Sequence, residues 1–469
     1  SCSNESAQNN ISAASETGNL LTDLETKVLL RMRDPNNRVS IDEAMEQANW
    51  VIDFLNGESS LKSGSNRRIG SISALVSDNK SVALKSSDLS DIEIPDTLAY
   101  IANFGDDLGF AIISADTRID EPLFAFTGSG SLADSIDNPG VIIFLQHLED
   151  YMINSIVEAE HQQDSLLSSI LEKLDIEVGT KSLTEEEAAA RAAARAGRRP
   201  VVTTEILNHI TPLVPVEWGQ GAPFNGNLKN SFFNSNSSQV PAPLKKCEYF
   251  PTGCVAVATA QIMSRWKYPS KIGNFSFNWD ELNQYTGRGD HRMGNRPISS
   301  APDNVKSQLA NLMQQISKDV GTSYGCNGSG AESSDALKLL GRHGFSQGGL
   351  VSYNSANAIA SMNRREPLIT RGCSKKTDYK FLGINIVSIP DGCHSWVIDG
   401  YLRRRVTTDG VHVDTDYIHN NWGWYGRDNG YFKSGIFNSN LVPDFPSNTK
   451  SDKSGNYQYD IKMASYIRR

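Results

Sequence analysis

The chain has 469 residues, 39% of them hydrophobic and 21% charged, with a formal net charge of −9. That length exceeds what one hydrophobic core organises, so two domains are expected. The acidic balance and the lack of a basic stripe exclude a nucleic-acid partner, and no run approaches the roughly 18 apolar residues of a membrane span.

In chain order, the opening SCSNESAQNN stays polar to residue 18 and resembles the remnant of a bacterial lipoprotein signal. Cys2 is then a candidate lipid anchor, residues 1–18 a tether, and the protein an exported one at the outer membrane or cell surface. Residues 19–33 and 40–57 show helical spacing; Ser40 with Glu43 forms a capping box and Gly57 marks the stop. Residues 58–90 read as loops around a short strand. From 97 to 127, β-type apolar runs break at Gly105-Asp106-Asp107 and at Asp116, which predicts antiparallel strands. Helical spacing returns from NPGVIIFLQHLEDYM onward, so residues 19–180 form an α+β domain.

The stretch SLTEEEAAARAAARAGRRP (182–200) carries caps and i, i+4 pairs but no apolar face. It reads as an exposed linker, 181–199, open to a protease at Arg191, Arg195 or Arg198. Past residue 200 the texture changes to Trp, Asn, Gly and turns, and long helical periodicity thins out. A second domain, 200–469, is expected there.

That domain holds the chemistry. PTGCVAVATAQIMSRWKYP (251–269) predicts a helix starting near Thr252, with Thr252 as cap, Cys254 at about N2 and Pro269 closing the segment. Unpartnered first-turn amides and the helix dipole favour a thiolate at that end. A nucleophilic thiol needs a base, and His394 in DGCHSWVIDGY opens an alternating strand that puts Trp396 and Ile398 on its face. In IHNNWGWYGRDNGYFKSG, Asn420, Asn421, Trp422 and Trp424 are candidates to orient and shield the imidazole. Gln220, in VEWGQGAPFN, is placed to complete an oxyanion hole with the Cys254 amide. The remaining cysteines, Cys247, Cys326, Cys373 and Cys393, show no zinc spacing and are too few for a disulfide scaffold, so neither metal nor other cofactor is expected.

The order of Gln, Cys at a helix start, His on a strand and an Asn/Trp turn resembles the papain-like cysteine peptidases, and more closely their streptopain-type branch, the C10 family. WGQGAPFN, TGCVAVATAQIMSRWKYP, HSWVIDGY and NNWGWYGRDNGYF carry the likeness, with His394 following Cys254 by 140 residues. That separation suits papain-like enzymes. The resemblance implies an α+β papain-like two-lobed catalytic domain preceded by an α+β prodomain that inhibits it. It implies Cys254 as nucleophile, His394 as general base and acid, Gln220 as oxyanion donor, and Trp422 and Trp424 as ring shields.

Papain-type sequences place a His-orienting Asn where Asn420 stands, whereas streptopain-type ones carry an aliphatic residue there. DVGTSYGCNGSGAESS resembles the family's substrate-side loop, so the backbone at Cys393 and around Ser329 and Gly330 is expected to hold substrate. YIANFGDDLGFAIISADTRIDEPLFAFTGSGSL resembles the propeptide, which implies a zymogen. The expected partners are protein or peptide substrates, the chain's own prodomain and an activating protease. The same Cys and His could serve an amidase or acyltransferase acting on a small molecule, against which the prodomain argues. A catalytically dead surface binding protein is the other rival, and the complete set of site elements argues against it.

Overall fold

The structure, a computed structural model, describes residues 21–58, 67–76, 95–132, 135–174, 201–287, 295–374, 380–381, 384–386, 392–438 and 461–469. Cys2 with its expected tether, and the 181–199 linker with its basic sites, lie outside the described residues.

Helix α1 (Asp23–Arg31) and helix α2 (Ile41–Glu58) both begin with capping boxes: Thr22 with Glu25, and Ser40 with Glu43. In each, the hydroxyl and the carboxylate satisfy one another's orphan amide. Strands β1 (Ile69–Val76), β2 (Thr97–Phe104), β3 (Phe110–Ser114) and β4 (Leu123–Thr127) form an antiparallel meander. The Gly105–Asp107 turn anticipated from the sequence joins β2 to β3. Helix α3 (Pro139–Lys173) follows, with Asn138 as cap and Pro139 in the first turn, where its missing amide costs nothing.

The second half contributes β5 (Val202–Ile210), helix α4 (Cys254–Trp266), α5 (Asp303–Asp319), α6 (Ser333–Arg342), β6 (Leu350–Ser352), α7 (Ser355–Asn363), β7 (Leu368–Cys373), β8 (Cys393–Thr408), β9 (Val411–Asn421), β10 (Gly430–Lys433) and β11 (Lys462–Ala464). Helices are more prominent here than the sequence led us to expect. In α5 the buried set Val305, Leu309, Leu312, Met313 and Ile316 keeps helical spacing, but polar residues between them and Asn/Gly-rich loops on both sides dilute the pattern.

One sheet runs through both halves in the order β1-β2-β3-β4-β10-β9-β8-β7-β11-β6, with β5 also paired to β8. The seam is β4 against β10, where Phe126 faces Tyr431 and Ala125 faces Phe432. A buried ion pair crosses the same boundary: fully buried Arg404 of β8 bonds Glu121 at 2.7 Å and Gln47 at 2.6 Å, with Trp50 under its guanidinium. Removing one partner of such a pair strands the other charge, so these contacts make the two halves interdependent.

Two cores flank the site. On the helical side Val257, Ile262, Leu309, Met313 and Leu340 of α4, α5 and α6 pack together. On the sheet side Trp396, Ile398, Trp422 and Phe432 pack with Ile142 and Phe144 of α3. The molecule is thus α+β, with a helical lobe and a β lobe on either side of a cleft.

Candidate active site

Helix α4 starts at Cys254, so the thiol sits at N1 rather than N2, and the cap is Gly253, not Thr252. Thr252 is held elsewhere: its amide donates to the Gln220 carbonyl at 3.0 Å and its carbonyl accepts from the Ser317 hydroxyl at 3.1 Å. Gly253 is required there on two counts. Its φ of +89° lies in the left-handed region, and a Cβ would stand 2.9 Å from the Ser329 carbonyl oxygen. The bare glycine lets the 323–330 loop close up beside the thiol.

Cys254 is half-buried, and among the described cysteines it alone carries a free thiol. Loss of solvation pushes its pKa up; the Ser395, Val255 and Cys254 amides and the Ser395 hydroxyl pull the other way. The Ser395 amide lies 3.4 Å from the sulfur. His394, at the start of β8, is buried, and that burial lowers its pKa to about 4, with the Trp422 carbonyl opposing. Burial thus drives both groups toward neutrality in this arrangement, against the preference of the helix end for a thiolate. Among the described residues no hydrogen bond joins the sulfur to the ring.

The imidazole's orientation comes from a backbone atom. His394 Nε2 lies 2.8 Å from the Trp422 carbonyl oxygen. A carbonyl only accepts, so the neutral ring carries its proton on Nε2 and leaves Nδ1 as a bare lone pair. Trp396 stacks on the ring at 6.1 Å, and Trp424 meets it edge-on at 6.3 Å. Asn420 does not reach His394; its Oδ1 accepts from Trp396 Nε1 at 2.7 Å, so it acts on the stacking indole. Asn421 donates to the Val216 carbonyl at 2.9 Å. Trp422 is fully buried behind His394, and its amide and indole are fixed by Asn429 Oδ1 and the Asp428 carbonyl, both at 2.9 Å. The turn is a clamp that sets one carbonyl.

Gln220, Cys254, Ser329, Cys393, His394 and Trp424 line a single cleft of about 500 Å³. Gly330 is not among its lining residues; it pairs with Ser323 through two backbone bonds of 2.8 and 3.0 Å. Disulfides Cys247–Cys326 and Cys373–Cys393 pin opposite walls, since Cys326 and Cys393 both border the cleft. Among the described residues no cluster of three or more His, Cys, Asp or Glu is poised for a metal.

The first half also reaches this place. Pro139 lines the cleft, Asn138 Nδ2 donates to Asp428 Oδ2 at 3.1 Å, Ser129 donates to the Gly426 carbonyl at 2.5 Å, and Asp137 pairs with Arg427. The sequence reading missed these residues, along with the contact roles of Ser395 and Trp396. Ser395 and Trp396 stood inside the His394 motif and were recoverable by strand alternation; Asn138-Pro139 carried only a helix-start signal.

Residues 218–432 match the Peptidase C10 family model. The C10 match runs from the Trp beside Gln220 through β10 and so takes in Cys254, His394 and the 420–424 turn. Over 362 residues the chain is 25% identical to the thiol protease/hemagglutinin PrtT of Porphyromonas gingivalis, covering 74% of this chain and 35% of that protein. Over 211 residues it is 28% identical to streptopain of Streptococcus pyogenes, covering 42% of this chain and 48% of that one. The matched part is thus less than half the length of either relative. A solved fragment of Prevotella intermedia prointerpain A aligns over 80% of this chain and 98% of its own, with 20% identity and a TM-score of 0.44.

Proposed function

We propose that the protein is an exported bacterial cysteine endopeptidase in precursor form, hydrolysing peptide bonds through Cys254 and His394. The observation that carries this is one cleft holding a thiol at a helix N-terminus and an imidazole whose Nε2 is tied to a carbonyl, so that Nδ1 is the available base. His394 takes the thiol proton, Cys254 attacks the peptide carbonyl, His394 returns the proton to the leaving amine, and water clears the acyl-enzyme. Gln220 and the Cys254 amide receive the developing oxyanion, and the backbone beside Ser329 and Cys393 holds the peptide. Two disulfides suit an oxidising compartment and support export.

Residues 19–180 serve as the inhibitory prodomain. Pro139 borders the cleft, and the burial that pushes the thiol up and the imidazole down accords with latency. Cutting within 181–199 by an activating protease ends the tethering that keeps the effective concentration of this segment high. The test is peptide hydrolysis after treatment with a trypsin-like protease, comparing wild type with Gln220→Ala. Loss of one oxyanion donor is expected to lower kcat by about 10² to 10³. A folded Gln220→Ala protein with undiminished kcat would remove the amide from the mechanism, and a cut wild-type chain without peptidase activity would remove the proposal.

A further inference from the structure

Ser395, the residue after His394, meets the Cys254 sulfur through its backbone amide. Ser395 brings its amide to 3.4 Å from Cys254 Sγ, and its hydroxyl lies 2.7 Å from the hydroxyl of Ser333, the first residue of α6. Both serines are buried, with 3% and 1% of their surface exposed. Consecutive residues of a strand face opposite ways, so His394 and Ser395 address different surroundings, the aromatic wall and the helical lobe. Two hydroxyls in one bond use a single donor hydrogen, which leaves the second for another acceptor. The Cys254 sulfur, 3.4 Å from the Ser395 amide, is a candidate for it.

We propose, resting on the peptidase reading, that Ser395 is a further catalytic residue: its hydroxyl, backed by a donation from Ser333, donates to the Cys254 thiolate. Ser333 is the positioning residue of the pair. When Ser333 donates to Ser395 Oγ, the Ser395 hydrogen is released toward Sγ, and the buried negative charge gains a side-chain donor beside the amides of α4 and β8. No bond to carbon or sulfur changes; only hydroxyl hydrogens turn. The Ser395 hydroxyl is one of the groups that pull the thiol down against burial. His394, Tyr425 and Arg427 border the cleft, and Arg427 is paired with Asp137. Arg371 of β7 reaches Cys393 Sγ; on α6 Asp335 pairs with Lys338 and Glu332 is exposed; the charges of α5 are exposed or half-exposed.

The experiment follows iodoacetamide alkylation of Cys254 in the full chain against pH, by mass spectrometry, for wild type, Ser395→Ala, Ser333→Ala and Ser395→Thr. Losing a donor to the thiolate raises the thiol pKa, so Ser395→Ala is expected to move the inflection up by about one pH unit and slow alkylation about tenfold below it. Ser333→Ala is expected to shift it the same way by less, and Ser395→Thr, which keeps the hydroxyl, to stay near wild type. Rates that fall with the inflection unmoved, or a Thr variant that behaves like the Ala one, would overturn the assignment. Ser333→Ala keeps the test open should Ser395→Ala fail to fold, because an unmoved inflection there also counts against it. A wild-type chain in which Cys254 is not alkylated even after cutting within 181–199 would instead overturn the peptidase reading, and this inference with it.

Discussion

Cys254→Ala is expected to eliminate peptide hydrolysis by the cut chain, with kcat falling by a factor on the order of 10⁵ or more, as loss of a covalent nucleophile does. No other described cysteine can take over, since Cys247, Cys326, Cys373 and Cys393 are locked in disulfides. The fold should survive. Alanine is a strong helix former, the N1 position demands no side-chain cap, and the site is only half-buried, so stability should move by no more than about 1 kcal/mol. Progress curves on a peptide substrate, read beside a thermal melt, check both halves of the statement. Residual turnover within tenfold of wild type would place the nucleophile elsewhere.

Gly140→Ala is expected to act in the opposite direction, giving the uncut chain peptidase activity at least about tenfold above the wild-type precursor. A Cβ at Gly140 would stand 2.0 Å from Trp422 Cε3 and 2.5 Å from Cζ3. Trp422 cannot move aside, because it is fully buried with Trp396 and Phe432 rings each 5.1 Å away. Such overpacking costs on the order of 1–3 kcal/mol, and each 1.4 kcal/mol is a factor of ten in the population of the open form. The strain falls on the first turn of α3, whose Asn138 and Pro139 make the contacts at the cleft, so relief comes from lifting that turn away. Hydrolysis by the uncut variant, with intactness confirmed on a gel, is the measurement. Activity no higher than that of the uncut wild type would show that α3 does not hold the cleft.

Much of this was legible in the residues, for physical reasons that differ from place to place. The capping box at Ser40, the aspartate-rich turn after β2 and the strand opening at His394 are local signals, and local signals survive in a single sequence. Cys254 was placed one position too deep because Thr is a good cap by propensity. The structure needs a glycine at that point for its positive φ and its contact with Ser329, a tertiary demand that no propensity encodes. Asn420 was a candidate to orient His394 by its side chain, yet the work is done by the Trp422 backbone, which every residue type possesses and no sequence marks. The push of Cys254 and His394 toward neutrality likewise comes from burial, which only the folded chain supplies. So does the continuity of β4 with β10, since pairing partners some 300 residues apart leave no local trace.

The central claim is that Cys254 is a peptidase nucleophile held latent by the first half of the chain. It is tested most directly by labelling with a peptidyl epoxide before and after trypsin-like cutting, at several pH values, with the modified residue mapped by mass spectrometry. Burial raises the thiol in the uncut form, so cutting should lower its pKa and shift the onset of labelling to lower pH. Rapid labelling of Cys254 is expected in the cut chain near neutral pH, with the uncut chain labelled slowly and only at higher pH. Equal labelling of the two forms, or a label on any residue other than Cys254, would contradict it.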